Sequence, residues 1–237
     1  GSAGTWTVRY TAAEPFSSGT LRVNIPNLWT IPQEADGNLG GYVTVSSTGT
    51  LDPTPLNING RNITVSVDTL SAGDTVDIVY GDDTVSQSGR AKAQETVESG
   101  VAFTTSSDPA GASPVEISVS PSVDVVAAAV SALVFVTPER TFPADGESDL
   151  MRIRSEDEFG NPSPVAIAQT VSLTSSSGTG IFSTIPGAGW IQTEEVVISA
   201  GEDTASFYYR DTSTGVFNID ASADGQAWTG ASQQVTV

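Results

Sequence analysis

Apolar and polar residues alternate along this chain in short runs, and most of the runs are too short for helices and keep a period of two. Trp6, Val8 and Tyr10 alternate with Thr5, Thr7 and Arg9. Leu21, Val23 and Ile25 alternate with Thr20, Arg22 and Asn24, and Pro26 ends that run. Further strands are expected over residues 42–46, 56–58, 63–67, 75–80, 101–105, 115–119 and 123–126. Asn59-Gly60 between two of them reads as a hairpin of type I′, which needs positive φ at both central residues. Residues 27–41 and 81–95 read as long polar loops, the first carrying Trp29 and Pro32.

The second half repeats the pattern over residues 133–136, 150–155, 170–174, 190–199, 204–209, 216–221 and 234–237. Leu150, Arg152 and Arg154 share one face and Met151 and Ile153 the other, after a turn at Asp145-Gly146. Glu158-Phe159-Gly160-Asn161-Pro162 must then reverse the chain, with Gly for positive φ, Asn for a side-chain turn bond and Pro against helix. Only residues 127–132 look locally helical, and strand running into strand is expected there. The class is all-β: two tandem Ig-like antiparallel β-sandwiches, residues 1–127 and 128–237, since 237 residues exceed one sandwich of about 100 and fit two. The junction over residues 121–132 is short and apolar, which predicts a restricted angle between them.

The stretch FPADGESDLMRIRSEDEFGNPSP, with an acidic residue, a spacer and Gly-Asn-Pro after a strand, resembles bacterial Ig-like domains of the invasin/intimin type. ISAGEDTASFYYRDTSTGVFNIDASADG is similar to the closing strands of that family, and the resemblance covers residues 133–237, with IPGAGW as an insertion-like departure. TWTVRYTA, GTLRVNIP, LWTIPQ, GYVTVSS and LSAGDTVDIVYG resemble an Ig-like module repeated in very large bacterial surface proteins, over most of residues 5–126. The resemblance implies a structural role at a cell surface or in a secreted protein: a stalk, a spacer, or a lattice or fibre block, with adhesion as a neighbouring possibility. Its partners would be adjoining Ig-like domains of a longer chain or neighbouring copies in a surface assembly. The first residues, GSAG, read as a cloning remnant or as native sequence, and the chain is expected to be a piece of a longer protein.

Charge sharpens the picture. Nine Lys and Arg against 28 Asp and Glu give a net charge of −19, which excludes a nucleic-acid partner because nothing could neutralise a run of phosphates. No run is apolar for long enough to insert in a membrane, and with no Cys there are no disulfides. Zero His removes Ser-His and Cys-His nucleophiles and His-containing metal sites. A glycosidase would need two carboxylates facing one another across a cleft, and most acids here fall in turns or on outward faces, so no enzyme is expected. No cofactor is expected beyond calcium, a hard cation that takes oxygen ligands from loops. Asp145, Glu147, Asp149, Glu156 and Asp157 are its candidate ligands, with Asp82-Asp83, Glu158 and Asp220 with Asp224 as further acid groups, none at EF-hand spacing. The bland alternative is that Asp145 and Asp157 accept turn hydrogen bonds and the others are solvated. Trp29 and Trp190, both in loops, are the candidates for stacking on a glycan or docking on a host or cell-surface protein, whereas Trp6 and Trp228 read as core or rim.

Overall fold

The computed structural model describes residues 1–191 and 194–237. Two residues of the strand expected over 190–199, Gln192 and Thr193, therefore lie outside the described residues. The chain divides into two compact units, Gly1–Val126 and Ala127–Val237, each with its own apolar cluster. Both are built of sheets whose strands pair antiparallel, the class that the alternation predicts, apart from one short parallel ladder in the second unit between residues 140–141 and 235–236.

The first unit runs through β1 (Ala3–Gly4), β2 (Trp6–Thr11), β3 (Phe16–Asn24), β4 (Val43–Ser47), β5 (Thr50–Asn59), β6 (Asn62–Leu70), β7 (Thr75–Tyr80), β8 (Ala91–Lys92), β9 (Glu98–Ala102), β10 (Thr105–Asp108), β11 (Val115–Glu116) and β12 (Ser122–Val125). Its layers are the sheets β11-β10-β3-β6-β5 and β2-β7-β4, with the small ladders β1-β8 and β12-β9 beside them. Leu21, Val23, Ile63, Val65 and Val67 from one layer and Val8, Val76, Ile78 and Tyr80 from the other belong to one buried cluster. The order β3-β6-β5 with β4-β7 matches the B-E-D and C-F parts of an immunoglobulin-type sandwich. The ends of the unit depart from it: β2 lies beside β7, where a last strand would sit, and β10 beside β3, where a first strand would.

The hairpin turn is displaced by one residue from the expected one. Asn59 pairs with Asn62, so the loop is Gly60-Arg61, and φ is positive at Gly60 (59°) but not at Asn59 or Arg61. Positive φ at the first loop position alone suits a II′ turn rather than I′. A reason is visible in Arg61, whose guanidinium donates to the carbonyls of Pro26 (2.6 Å) and Trp29 (2.9 Å) and so ties the long loop before β4 to the hairpin. Strand β5 also starts well before residue 56. Pro53 and Pro55 lie within it, on the open edge of the sheet where no ladder N–H is required.

The second unit comprises β13 (Val130–Phe135), β14 (Arg140–Thr141), β15 (Met151–Asp157), β16 (Gln169–Ser175), β17 (Ile181–Ser183), β18 (Glu194–Ile198), β19 (Thr204–Arg210), β20 (Val216–Ala223) and β21 (Ala231–Thr236). Sheet β13-β15-β19-β17 and sheet β14-β21-β20-β16-β18 enclose a core of Met151, Ile153, Leu173, Phe182, Phe207, Tyr209 and Ile219. This contains the A-B-E-D and C-F-G orders of an immunoglobulin sandwich, with the first strand divided between the two sheets as β13 and β14, and with β18 as an added edge strand beside β16. Residues 127–132 hold no helix; β13 begins at Val130.

Replacing Arg61 with Ala removes two charge-assisted bonds to backbone carbonyls and is expected to cost about 2–3 kcal/mol. Exposed Arg22→Ala should stay within about 0.5 kcal/mol of the parent. Urea denaturation followed by Trp fluorescence measures both.

Candidate functional site

Among the described residues four aspartates are buried, Asp82, Asp108, Asp157 and Asp211. A buried carboxylate is costly unless donors surround it, and each of these accepts an N–H from the residue two positions on. Thr84 donates to Asp82 (2.8 Å), Ala110 to Asp108 (3.1 Å), Phe159 to Asp157 (2.9 Å) and Ser213 to Asp211 (2.9 Å). These are Asx turns, in which the side chain replaces a backbone acceptor as the chain leaves a strand.

Asp157 carries the most backbone donors. At the end of β15 it is 3% exposed and accepts from the N–H groups of Ala128, Phe159 and Asn161, each at 2.9 Å, and from the Asn161 amide. Burial pushes its carboxyl up, but the bonds from Asn161, Ala128 and Phe159 together outweigh burial and hold it below the ordinary carboxylate value. Gly160, at φ +81°, makes the reversal that brings Asn161 back to it. Ser163 completes the closure by donating to the Ala128 carbonyl at 2.7 Å.

Asp211 is fully buried beyond β19 and accepts from Thr179 Oγ1 (2.5 Å) and the Tyr209 hydroxyl (2.6 Å). Its carboxyl is pushed up by burial and drawn further down by hydroxyl donors from Ser177, Thr179 and Tyr209 and by the Ser213 N–H. Burial raises the Tyr209 phenol, and the neighbouring Asp211 raises it further. The aromatic ring packs on Phe142 and Phe182, with centroids 6.1 and 5.1 Å away.

The five candidate calcium ligands each face a different protein partner. Asp145 pairs with Arg210 and Glu156 with Arg154. Glu147 accepts the Gly187 N–H at 2.9 Å, Asp149 is exposed and 4.0 Å from Arg140, and Asp157 faces the donors just described. Among the described residues no three His, Cys, Asp or Glu side chains gather where they could hold a metal ion. Asp224 accepts from Ser172 Oγ, and Asp83 pairs with Arg90.

Trp29 is a correction to the sequence reading, because its loop folds inward. The residue is 2% exposed, its ring 4.8 Å from Trp6 and 5.1 Å from Phe103, edge to face with both. With Phe103 inside the core cluster and half-buried Trp6 packed against it, no face of Trp29 is left for a sugar. The cause is the Arg61 clamp on its carbonyl together with a positive φ at Leu28 (67°), which turns the leucine out and the tryptophan in. Trp190 is half-buried in the loop after β17, and Trp228 packs on the second core. Grooves of about 530, 480 and 320 Å³ are each lined by a single carboxylate, Glu139, Glu34 and Glu98 respectively.

No protein-family model matches the sequence, and no curated protein matches it. Among solved structures it is similar to domains 4 and 5 of the S-layer protein SbsC, at 14% identity over 88% of this chain and 81% of that one, with a TM-score of 0.32. The D0-D1 domain of intimin shows 12% identity over 99% and 91% of the two chains, with a TM-score of 0.29. A β-glycosidase from Bacteroides vulgatus shows 10% identity over 88% of this chain and 24% of that one, with a TM-score of 0.36. Likeness at this level transfers neither a site nor an activity.

Asp157→Asn is expected to cost about 1–3 kcal/mol at pH 7, since the amide presents one acceptor where the carboxylate presents two charged ones. The folded carboxyl lies below its unfolded value, so its contribution is present above the unfolded value near pH 4 and disappears as pH falls through the folded one. Urea denaturation of the parent and the variant should therefore differ at pH 7, with the difference shrinking as pH falls below the unfolded value.

Proposed function

We propose that the chain is a structural module of a bacterial cell-surface or secreted protein, serving as a stalk, spacer or building block of a lattice or fibre. The observation that carries this reading is the use made of chemistry-bearing side chains. The four buried aspartates, the two buried strand-end tyrosines Tyr80 and Tyr209, and Trp29 all serve loop closure or packing. Groups arranged for catalysis or recognition would instead converge on a concavity, and the grooves described above hold one carboxylate each. Two β-sandwiches in succession, each with a full core, suit a chain whose work is to occupy length and resist unfolding. A net charge of −19 keeps neighbouring copies soluble at high local density. No helix among the described residues is long and apolar enough to cross a membrane.

The alternative is a carbohydrate- or protein-binding module of an adhesin, and Trp190 is the loop aromatic left to serve it. Glycan arrays and calorimetric titration decide between the two: a spacer shows no saturable glycan binding. A glycan bound by the parent and lost in Trp190→Ala would replace the structural reading. Calcium is tested beside it, since a bound ion would raise the melting temperature in millimolar calcium over that in EDTA, whereas carboxylates already held by Arg and N–H partners leave it unchanged.

A further inference from the structure

The edge of β4 is open and lacks the devices that guard other edges of the molecule. Strand β5 carries Asp52, Pro53 and Pro55, and β18 carries Glu194 and Glu195. From Tyr42 to Thr50 the chain holds neither a charge nor a proline, and Val43, Thr44 and Val45 favour extended backbone.

The register shows which backbone groups that edge presents. Thr48 donates to the Thr75 carbonyl on the β7 side at 3.0 Å, and the Tyr42 carbonyl accepts from Gly81 and Asp82 just beyond β7. Even-numbered residues therefore face β7, and Val45 opposite Ile78 is a non-hydrogen-bonded pair. The odd-numbered residues turn the other way. Val43 N–H is taken by the Gln33 carbonyl at 2.9 Å, as the chain's own loop begins to pair alongside β4 and then departs. Beyond that point the Val43 carbonyl, both backbone groups of Val45 and the Ser47 N–H point away from β7, and beside residues 42–45 lies a groove of about 480 Å³ also lined by Glu34, Thr54, Pro55 and Leu56.

We propose that this edge receives an extended peptide strand from a partner protein, added alongside β4, with a valine- or isoleucine-sized residue in the groove and Lys or Arg at its flanks. The backbone groups between Val43 and Ser47 fix the register, and the Gln33 contact limits the guest at one end. Val45, Pro55 and Leu56 supply the apolar seat. Charge selects the occupant: Glu34 is the only charged residue lining the groove, and the chain carries −19, so a basic strand is drawn in and a second copy is repelled.

The probe is a fluorescein-labelled synthetic peptide, KVTVTK, titrated against the intact chain and followed by anisotropy and by amide hydrogen exchange. Saturable binding is expected, with slowed exchange at Val45 and Ser47. N-methylating the central amides of the peptide should weaken binding about tenfold, because it removes guest N–H groups that the edge carbonyls accept. Val45→Pro deletes an outward N–H without breaking a ladder bond and should weaken binding similarly; if that variant does not fold, the N-methylated peptide on the parent chain carries the same test. Glu34→Lys should weaken binding of KVTVTK and favour DVTVTD. Absence of saturation, equal binding of the N-methylated peptide, preference of the parent for DVTVTD, or sedimentation showing that copies pair along β4 would each overturn the proposal.

Discussion

Strands that end inside a sandwich leave N–H groups pointing at the loop that must carry the chain away, and this molecule meets that demand with buried aspartate. The arrangement is stringent, because an unpaired carboxylate at the same depth would be more costly than no side chain at all. Three of the four hold more than their own turn. Asp82 reaches across to the Thr44 hydroxyl on β4, Asp157 holds the N–H of Ala128 at the start of the second unit, and Asp211 gathers Thr179 and Tyr209 from separate strands or loops. A single carboxylate thereby joins segments that are far apart in sequence, which is how short strands with long connections keep one arrangement.

The two buried strand-end tyrosines extend the same logic into the cores. Tyr80 closes β7 with its hydroxyl on the Thr30 carbonyl, and Tyr209 near the end of β19 bonds Asp211. Burial pushes both phenols up, so both remain neutral donors throughout the ordinary pH range. Gly180 makes room for the second: a Cβ there would lie 2.3 Å from the Tyr209 hydroxyl oxygen. Ring and hydroxyl thus serve different ends, the ring filling the core while the polar tip satisfies a loop.

Much of the fold was legible because a period of two is written wherever one face of a strand is buried. Residues 75–80 were expected as a strand and β7 occupies those positions; Met151, Ile153 and Ser155 point inward while Arg152 is exposed. What escaped the sequence is equally physical. Strand β5 was expected only from residue 56; it starts at Thr50, and Pro53 and Pro55 fall where its register shifts between Leu51 and Leu56 on an open edge, so their missing N–H groups break no ladder bond. Short strands such as β14 and β17 exist by virtue of long-range partners, Val235 and Thr236 for one, Tyr208 to Arg210 for the other, and have no local signature. Trp29 misled for a related reason: its loop is polar in composition, but the residue that directs it inward, Arg61, stands 32 positions away. The turn role of Asp157 was visible as an alternative to metal binding; its bond to Ala128 was not, since nothing local joins positions 29 apart.

The acidity of the chain therefore has two separate origins with different physical meaning. A minority of its carboxylates are interior fasteners, and their number is set by how many strand ends must be closed. The rest stand outside, where Arg9, Arg90, Arg154 and Arg210 each pair with one acid and leave most of the 28 without a cation. Exposed pairs of this kind add little stability, so removing base from the surface costs the fold almost nothing. It does change what the surface repels. A chain built of open-edged sandwiches is exposed to edge-to-edge pairing with its own copies, and a net negative charge opposes that encounter before any backbone groups meet. Negative charge over the surface and buried aspartate in the loops thus solve opposite problems with the same residue types, one keeping copies apart and the other securing the places where strands end.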